Sequence, residues 1–221
     1  MEQGNFGVND SLRLAELLTI RLCHDLSGPL GTLVGSLELL REEPEAAEEA
    51  LDLAGEVSHT LIKRLRLLRA AWGGASASLS LAELRALVEG LPQGAKVRVG
   101  LDGLADRQFA PDMARLVLNL LLLAGECLPG GGTVTLAGDP EAELHLFISG
   151  PRAAWPAGLA ACLADPAHAW SQLANDAQSS RTMQAPLTAL IANAGGMQVS
   201  MMMARDAEAA PPLVIRPSAR T

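Results

Sequence analysis

The chain has 221 residues, 49% hydrophobic and 19% charged, and its 17 Lys and Arg against 25 Asp and Glu leave a net charge of −8. Globular chains average about 25% charged, so this composition favours burial over disorder. The acidic balance argues against a nucleic-acid partner, which needs a basic face, and three Phe, three Trp and no Tyr leave little for base stacking. Cys23, Cys127 and Cys162 are odd in number and widely spaced, which suits a reducing compartment. Met1 to Asp10 has no basic-then-apolar signal pattern. The apolar stretch Leu116 to Ala124 is far short of the ~20 residues that a membrane span needs. A cytoplasmic protein with no membrane contact is expected.

At ~100–200 residues per domain, the length allows one large domain or two small ones. Leu22, Leu26, Leu30, Leu33, Leu37 and Leu40 recur at steps of three and four, predicting one long helix from about Ser11 to Glu43. Pro44 stops it and starts a second. Ala47, Leu51, Ala54, Val57, Leu61, Leu65 and Leu68 then form another stripe, ended by Trp72-Gly73-Gly74. Two helices with a short connection make an antiparallel hairpin. A hairpin alone cannot cover both stripes, so dimerisation into a four-helix bundle is expected.

The small residues Gly73 to Ser78 read as a linker, dividing the chain into 1–74 and 79–221. The second part is α+β. Helices are expected at Ser80–Glu89, Asp112–Cys127, Leu159–Leu163 and Pro186–Ala194. Strands are expected at Lys96–Val99, Thr133–Leu136, Glu143–Ile148, Met197–Met203 and Pro212–Ile215.

Of four histidines, none are paired at helical spacing, so no metal ligand set is expected. His24 lies about 200° around the helix from Leu26, opposite the apolar stripe. Gly28, Gly31 and Gly35 follow on its face, each costing ~1 kcal/mol relative to alanine in a helix interior. Three on one exposed face imply a surface that must stay open, or one that permits close helix contact. If the hairpin turns near Glu43–Pro44, residue 24 lies level with about residue 63. Lys63, Arg64, Arg66 and Arg69 then cluster near His24. They serve a phosphoryl group or an acidic partner there, or simply match the helix macrodipole. Gly130-Gly131-Gly132 lacks a following Gly-Lys-Ser/Thr and reads as a turn.

His24-Asp25-Leu26-Ser27-Gly28-Pro29-Leu30 resembles the phosphoacceptor box of sensor histidine kinases. Arg21 to Gly31, with Arg64 to Gly73 closing the second helix, is most similar to the ChpT-type bacterial histidine phosphotransferases. Gly35-Ser36 replaces an Asn-Gly pair of that family. The resemblance implies that a neutral imidazole at His24 accepts a phosphoryl group from an aspartyl phosphate. Asp25 would orient the ring or manage its proton, unless it is an ordinary helical acid.

The second part resembles a kinase ATP-binding domain stripped of its nucleotide elements. After Asn119, the place of a second Mg²⁺-chelating Asn holds Leu123, which cannot ligate a hard cation. In Ile148-Ser149-Gly150-Pro151-Arg152, Ile148 replaces the adenine-reading Asp and Arg152 the final Gly. The lid region, Gln184 to Leu190, has no glycine. No cofactor is expected on this chain, and Mg²⁺ would come with the partner. The implied partners are a second copy of the chain and the receiver domains of a hybrid histidine kinase and of response regulators. The rival readings are an active kinase fragment and a non-catalytic scaffold that binds receivers.

Overall fold

The computed structural model describes residues 8–74, 77–92, 96–174, 182–203 and 210–218. Helix α1, Val8–Glu42, starts earlier than the periodicity suggests and runs on through Pro29. A short 3₁₀ turn at Pro44–Ala46 leads into α2, Ala47–Trp72, with Glu48 and Glu49 in its first turn and Arg69 in its last. That polarity matches the helix dipole. α2 stops where the Gly73 amide donates back to the Arg69 carbonyl at 2.9 Å and Gly74 takes φ +93°, a conformation that favours glycine. The predicted linker continues from there, with Ala75 and Ser76 outside the described residues.

The hairpin packs along its length. Ala50, Ala54 and Leu61 are buried along one side of α2. Nearer the end of α2, Leu67, Leu68 and Ala71 join Leu17 of α1 in the main core. The α1 stripe is only half covered: Leu22 and Leu33 are partly buried, whereas Leu30 and Leu37 are exposed.

Beyond the linker, α3 spans Leu81–Val88. It opens on a reciprocal cap in which the Glu83 amide donates to Ser80 Oγ at 3.2 Å and the Ser80 amide to Glu83 Oε2 at 2.8 Å. Five strands follow: β1 Val97–Leu104, β2 Gly132–Asp139, β3 Glu143–Ser149, β4 Met197–Met201 and β5 Leu213–Pro217. Their sheet order is β1-β2-β3-β5-β4. The β1–β2 pair is parallel and the rest are antiparallel. Helices α4 Pro111–Glu126, α5 Leu159–Ala164, α6 Pro166–Ala174 and α7 Gln184–Ala194 complete a helix-and-sheet sandwich.

Besides the early start of α1 and a longer β2, β1 and α6 differ from the sequence reading. β1 continues past Val99 to Leu104, with a register irregularity between Gly100 and Gly103. A Cβ at Gly103 would lie 2.8 Å from that of Ala137, so glycine lets the strand go on where the apolar alternation has stopped. α6 was not expected, having no clear stripe. Its start is set by Asp165-Pro166, where Asp165 Oδ1 accepts from the Ala167 amide at 2.9 Å.

The sandwich is organised around α4. From Met113 to Ala124 every residue except Arg115 is buried. The helix packs against α2, α3, α7 and β2, as a helix apolar on all sides must. Asn119 is the polar exception on it, and is fully buried. Its Nδ2 donates to the Ala71 and Arg115 carbonyls, each at 2.9 Å. Its Oδ1 accepts from Trp72 Nε1 at 3.2 Å and Gln184 Nε2 at 3.0 Å. One amide thus joins the end of α2, α4 and α7. Replacing Asn119 with leucine leaves the half-buried Trp72 donor without its acceptor, whereas Gln184 Nε2 keeps the backbone carbonyl of residue 119 at 3.2 Å and Thr188 Oγ1 at 3.3 Å. N119L should therefore lower the unfolding free energy by about 1–3 kcal/mol, seen as a reduced urea midpoint.

Candidate functional site

His24 projects from α1 with 57% of its side chain exposed. Gly28, Gly31 and Gly35 share its face within about 60° of arc. A Cβ built at any of the three meets nothing within 4 Å, so packing within the chain does not require these glycines. They leave a bare strip of helix running from the histidine towards the hairpin turn.

The support beneath His24 is buried. Asp25 has a side chain only 9% exposed, and its two oxygens serve different partners. Oδ1 lies 3.2 Å from His24 Nδ1. With the ring proton on Nδ1 this is a donated hydrogen bond, and Nε2 keeps its lone pair. Oδ2 accepts from Arg21 Nε at 2.9 Å, and the other end of that guanidinium, Nη2, donates to Glu126 Oε1 at 2.6 Å. Arg64 Nη1 donates to the Asp25 carbonyl at 3.1 Å. Arg64 Nε is buried with no hydrogen-bond partner among the described residues. Burial lowers the Arg64 pKa, against the pull of the Asp25 carboxylate.

The basic residues predicted beside His24 do not stay together. Arg64 reaches Asp25, but Lys63 pairs with Glu89 at 2.8 Å, beyond the end of α3. Arg66 and Arg69 line an open cleft of about 340 Å³ with Arg115, between the end of α2 and α4. Successive helical residues fan by about 100°, so four bases within seven positions cannot share one face. His59, His145 and His168 lie apart, on α2, β3 and α6. Cys23 is exposed just before His24, whereas Cys127 and Cys162 are buried. Burial, with Glu126 nearby, pushes the Cys127 thiol up to about 12.

Arg21 and Glu126 are the site residues that sequence reasoning missed. Arg21 could have been found, since it precedes Asp25 by the four positions of a helical ion pair. Glu126, 105 positions away, left no local signal.

Where the sequence reading placed the nucleotide elements, the side chains present offer no ligand for a magnesium ion. Leu123 is 1% exposed and Ile148 5%, both packed in the core with no oxygen to offer. Asn119 is spent on four hydrogen bonds within the protein. Gln184 to Leu190 lies in helix α7 and is closed onto α4 by the Gln184–Asn119 contact. Arg152 still has φ +61°, a left-handed turn normally given to glycine.

Residues 81–207 match the family described as the histidine phosphotransferase C-terminal domain. The chain belongs to this family. A relative of this histidine phosphotransferase is Protein phosphotransferase ChpT of Brucella abortus (strain 2308). The two are 27% identical over 146 residues, 63% of this chain and 69% of the relative. A solved bacterial phosphotransferase has the same fold, with TM-score 0.69 and 24% identity over 93% of this chain and 96% of that one.

The bare glycine strip of this phosphotransferase can be tested without any partner. Gly31→Ala meets no obstruction and removes backbone entropy from the unfolded chain. It should raise stability by about 0.5–1 kcal/mol, measured as a higher denaturation midpoint.

Proposed function

We propose that His24 carries a phosphoryl group between receiver-domain aspartates in a multistep phosphorelay, without using ATP. The observation that carries this reading is an exposed imidazole whose Nδ1 faces a buried carboxylate above an open strip of glycine. In the proposed step, the Nε2 lone pair attacks the phosphorus of an aspartyl phosphate and an N–P bond forms. The P–O bond to the receiver aspartate breaks, and its electron pair leaves with that carboxylate. Nδ1 keeps its proton, and Asp25 offsets the positive charge that develops on the ring. Arg64, tied to the Asp25 carbonyl, holds a cation beside the reacting residue. Passing the group on to a second receiver reverses these events.

The partners are the receiver domains of an upstream hybrid histidine kinase and of response regulators, docking on Gly28, Gly31 and Gly35. Mg²⁺ would enter with the receiver. Lys63 is paired with Glu89 and Arg64 with the Asp25 carbonyl, so of these two cations Arg64 is the one placed to serve the transfer. The setting is the cytoplasm. No helix among the described residues is long and apolar enough to cross a membrane, and the three cysteines are free.

A homodimer completes the bundle in this reading. Leu30, Val34 and Leu37 of α1 are exposed, as are Leu51, Ile62 and Leu65 of α2. Each set falls within about 60° of arc on its helix, an apolar stripe that a second hairpin would cover. In light scattering the chain should run at twice its mass of 23.1 kDa, and I62E should shift it to the monomer. A wild-type monomer would sink the dimer.

The function itself is tested with a phosphorylated receiver. Label should move to the wild-type chain and not to H24A, and Asp25→Asn should slow transfer roughly 10²-fold. G31A should slow transfer although it stabilises the fold. Self-labelling from ATP alone would establish the kinase-fragment reading instead. Binding that survives H24A with no phosphohistidine on the wild type would establish the scaffold.

A further inference from the structure

We propose that Arg21 and Glu126 are positioning residues: a clamp through which the end of α4 fixes the Asp25 carboxylate, and through it the tautomer of His24. This rests on the reading of His24 as the phosphoryl acceptor, and it gives the sandwich a role in the transfer step.

The arrangement is directional. Glu126 is the last residue of α4, and the Arg21 guanidinium spans from its carboxylate to Asp25. Arg21 and Asp25 have side chains only 10% and 9% exposed, while Glu126 is 28% exposed. A planar guanidinium that bonds two carboxylates fixes the position and rotation of both. Asp25 Oδ2 is thereby held, which aims Oδ1 at His24 Nδ1. Without the clamp, a carboxylate on a single helix is free to rotate about its own side-chain bonds.

The charges fit this role. Among the described residues, Arg21 and Arg64 face Asp25 and Glu126. The C-terminal end of α4 adds partial negative charge beside Arg21. Burial alone would disfavour the charged Arg21, but Glu126 and Asp25 outweigh it and raise its pKa. Burial also raises the Glu126 carboxyl, against the opposing pull of Arg21.

A protonated Nδ1 bonded to Asp25 leaves Nε2 as the lone-pair nitrogen pointing to the partner. A free neutral imidazole favours the proton on Nε2, which would block that atom as a nucleophile. The clamp selects the reactive tautomer before any partner arrives, and the transfer barrier need not include that proton shift.

The test is nitrogen-15 NMR of the full chain with labelled histidine rings, near pH 8.5 where imidazoles are neutral (unperturbed pKa ~6.5). The H24Q spectrum assigns the His24 signals. The wild type should show His24 protonated mainly on Nδ1. Arg21→Met and Glu126→Leu should each move the ring towards the Nε2–H form, and Glu126→Gln, which keeps an acceptor oxygen, should restore most of the wild-type pattern. Glu126 is partly exposed, so its variants keep the test usable if R21M does not fold. In single-turnover transfer, E126L should lower the maximal rate about tenfold and leave the half-saturating receiver concentration unchanged. An unchanged tautomer in E126L overturns the clamp. So does a tautomer shift that E126Q fails to rescue, or a loss confined to receiver affinity. The tautomer is read with no receiver present. Failure of the wild type to accept label would therefore count against the carrier reading alone.

Discussion

Helix α4 has no face that it can give to water, and the rest of the chain is arranged around that constraint. Burying Met113 to Ala124 takes the sheet on one side, α3 and α7 on others, and the end of α2. At ~1.5–3 kcal/mol for each large apolar side chain removed from water, this one helix is a major source of the fold's stability. Asn119 turns the same burial into geometry. A polar group this deep must find its partners in neighbouring elements, and it finds them on Ala71, Trp72 and Gln184. The hairpin is thereby seated in a defined way on the sandwich. Its consequence appears at the other end of α4, where Glu126 meets Arg21 within a turn of His24.

Much of this was legible in the residue order because it depends on local periodicity. The stripes of α1 and α2 and the dense apolar run of α4 each declare a helix, and alternation in Glu143 to Ile148 declares a strand. The His24 box, the glycines on its face and the position of Arg64 also follow from helical spacing. What was not legible depends on tertiary contact. β1 persists through Gly100 and Gly103 because of what lies opposite it, not because of its own alternation. Lys63, Arg66 and Arg69 are close in sequence, but the helical fan sends them to Glu89 and to a cleft beside Arg115. Glu126 contributes to the histidine's surroundings only through the folded chain.

The surface of the hairpin shows a different balance. Gly28, Gly31 and Gly35 weaken α1 without improving its packing, since a methyl group at each would meet only open space. Stability alone would place alanine there. The charged groups behave in the opposite way, tightly bonded and sunk beneath the histidine. If His24 is the phosphoryl carrier proposed above, this division suits a transient partner: an unobstructed approach above, and a reacting group oriented from below.

The cost of unpaired burial also accounts for which side chains the core of the sandwich accepts. A buried polar side chain with no partner costs about 1–3 kcal/mol. Leucine at 123 and isoleucine at 148 remove that cost and add apolar area to the core. Asn119 remains polar because the protein itself satisfies its amide. Arg152 takes a left-handed turn, φ +61°, at a cost of about 1–2 kcal/mol. The core accepts a polar side chain at 119 because the fold itself supplies all four of its partners.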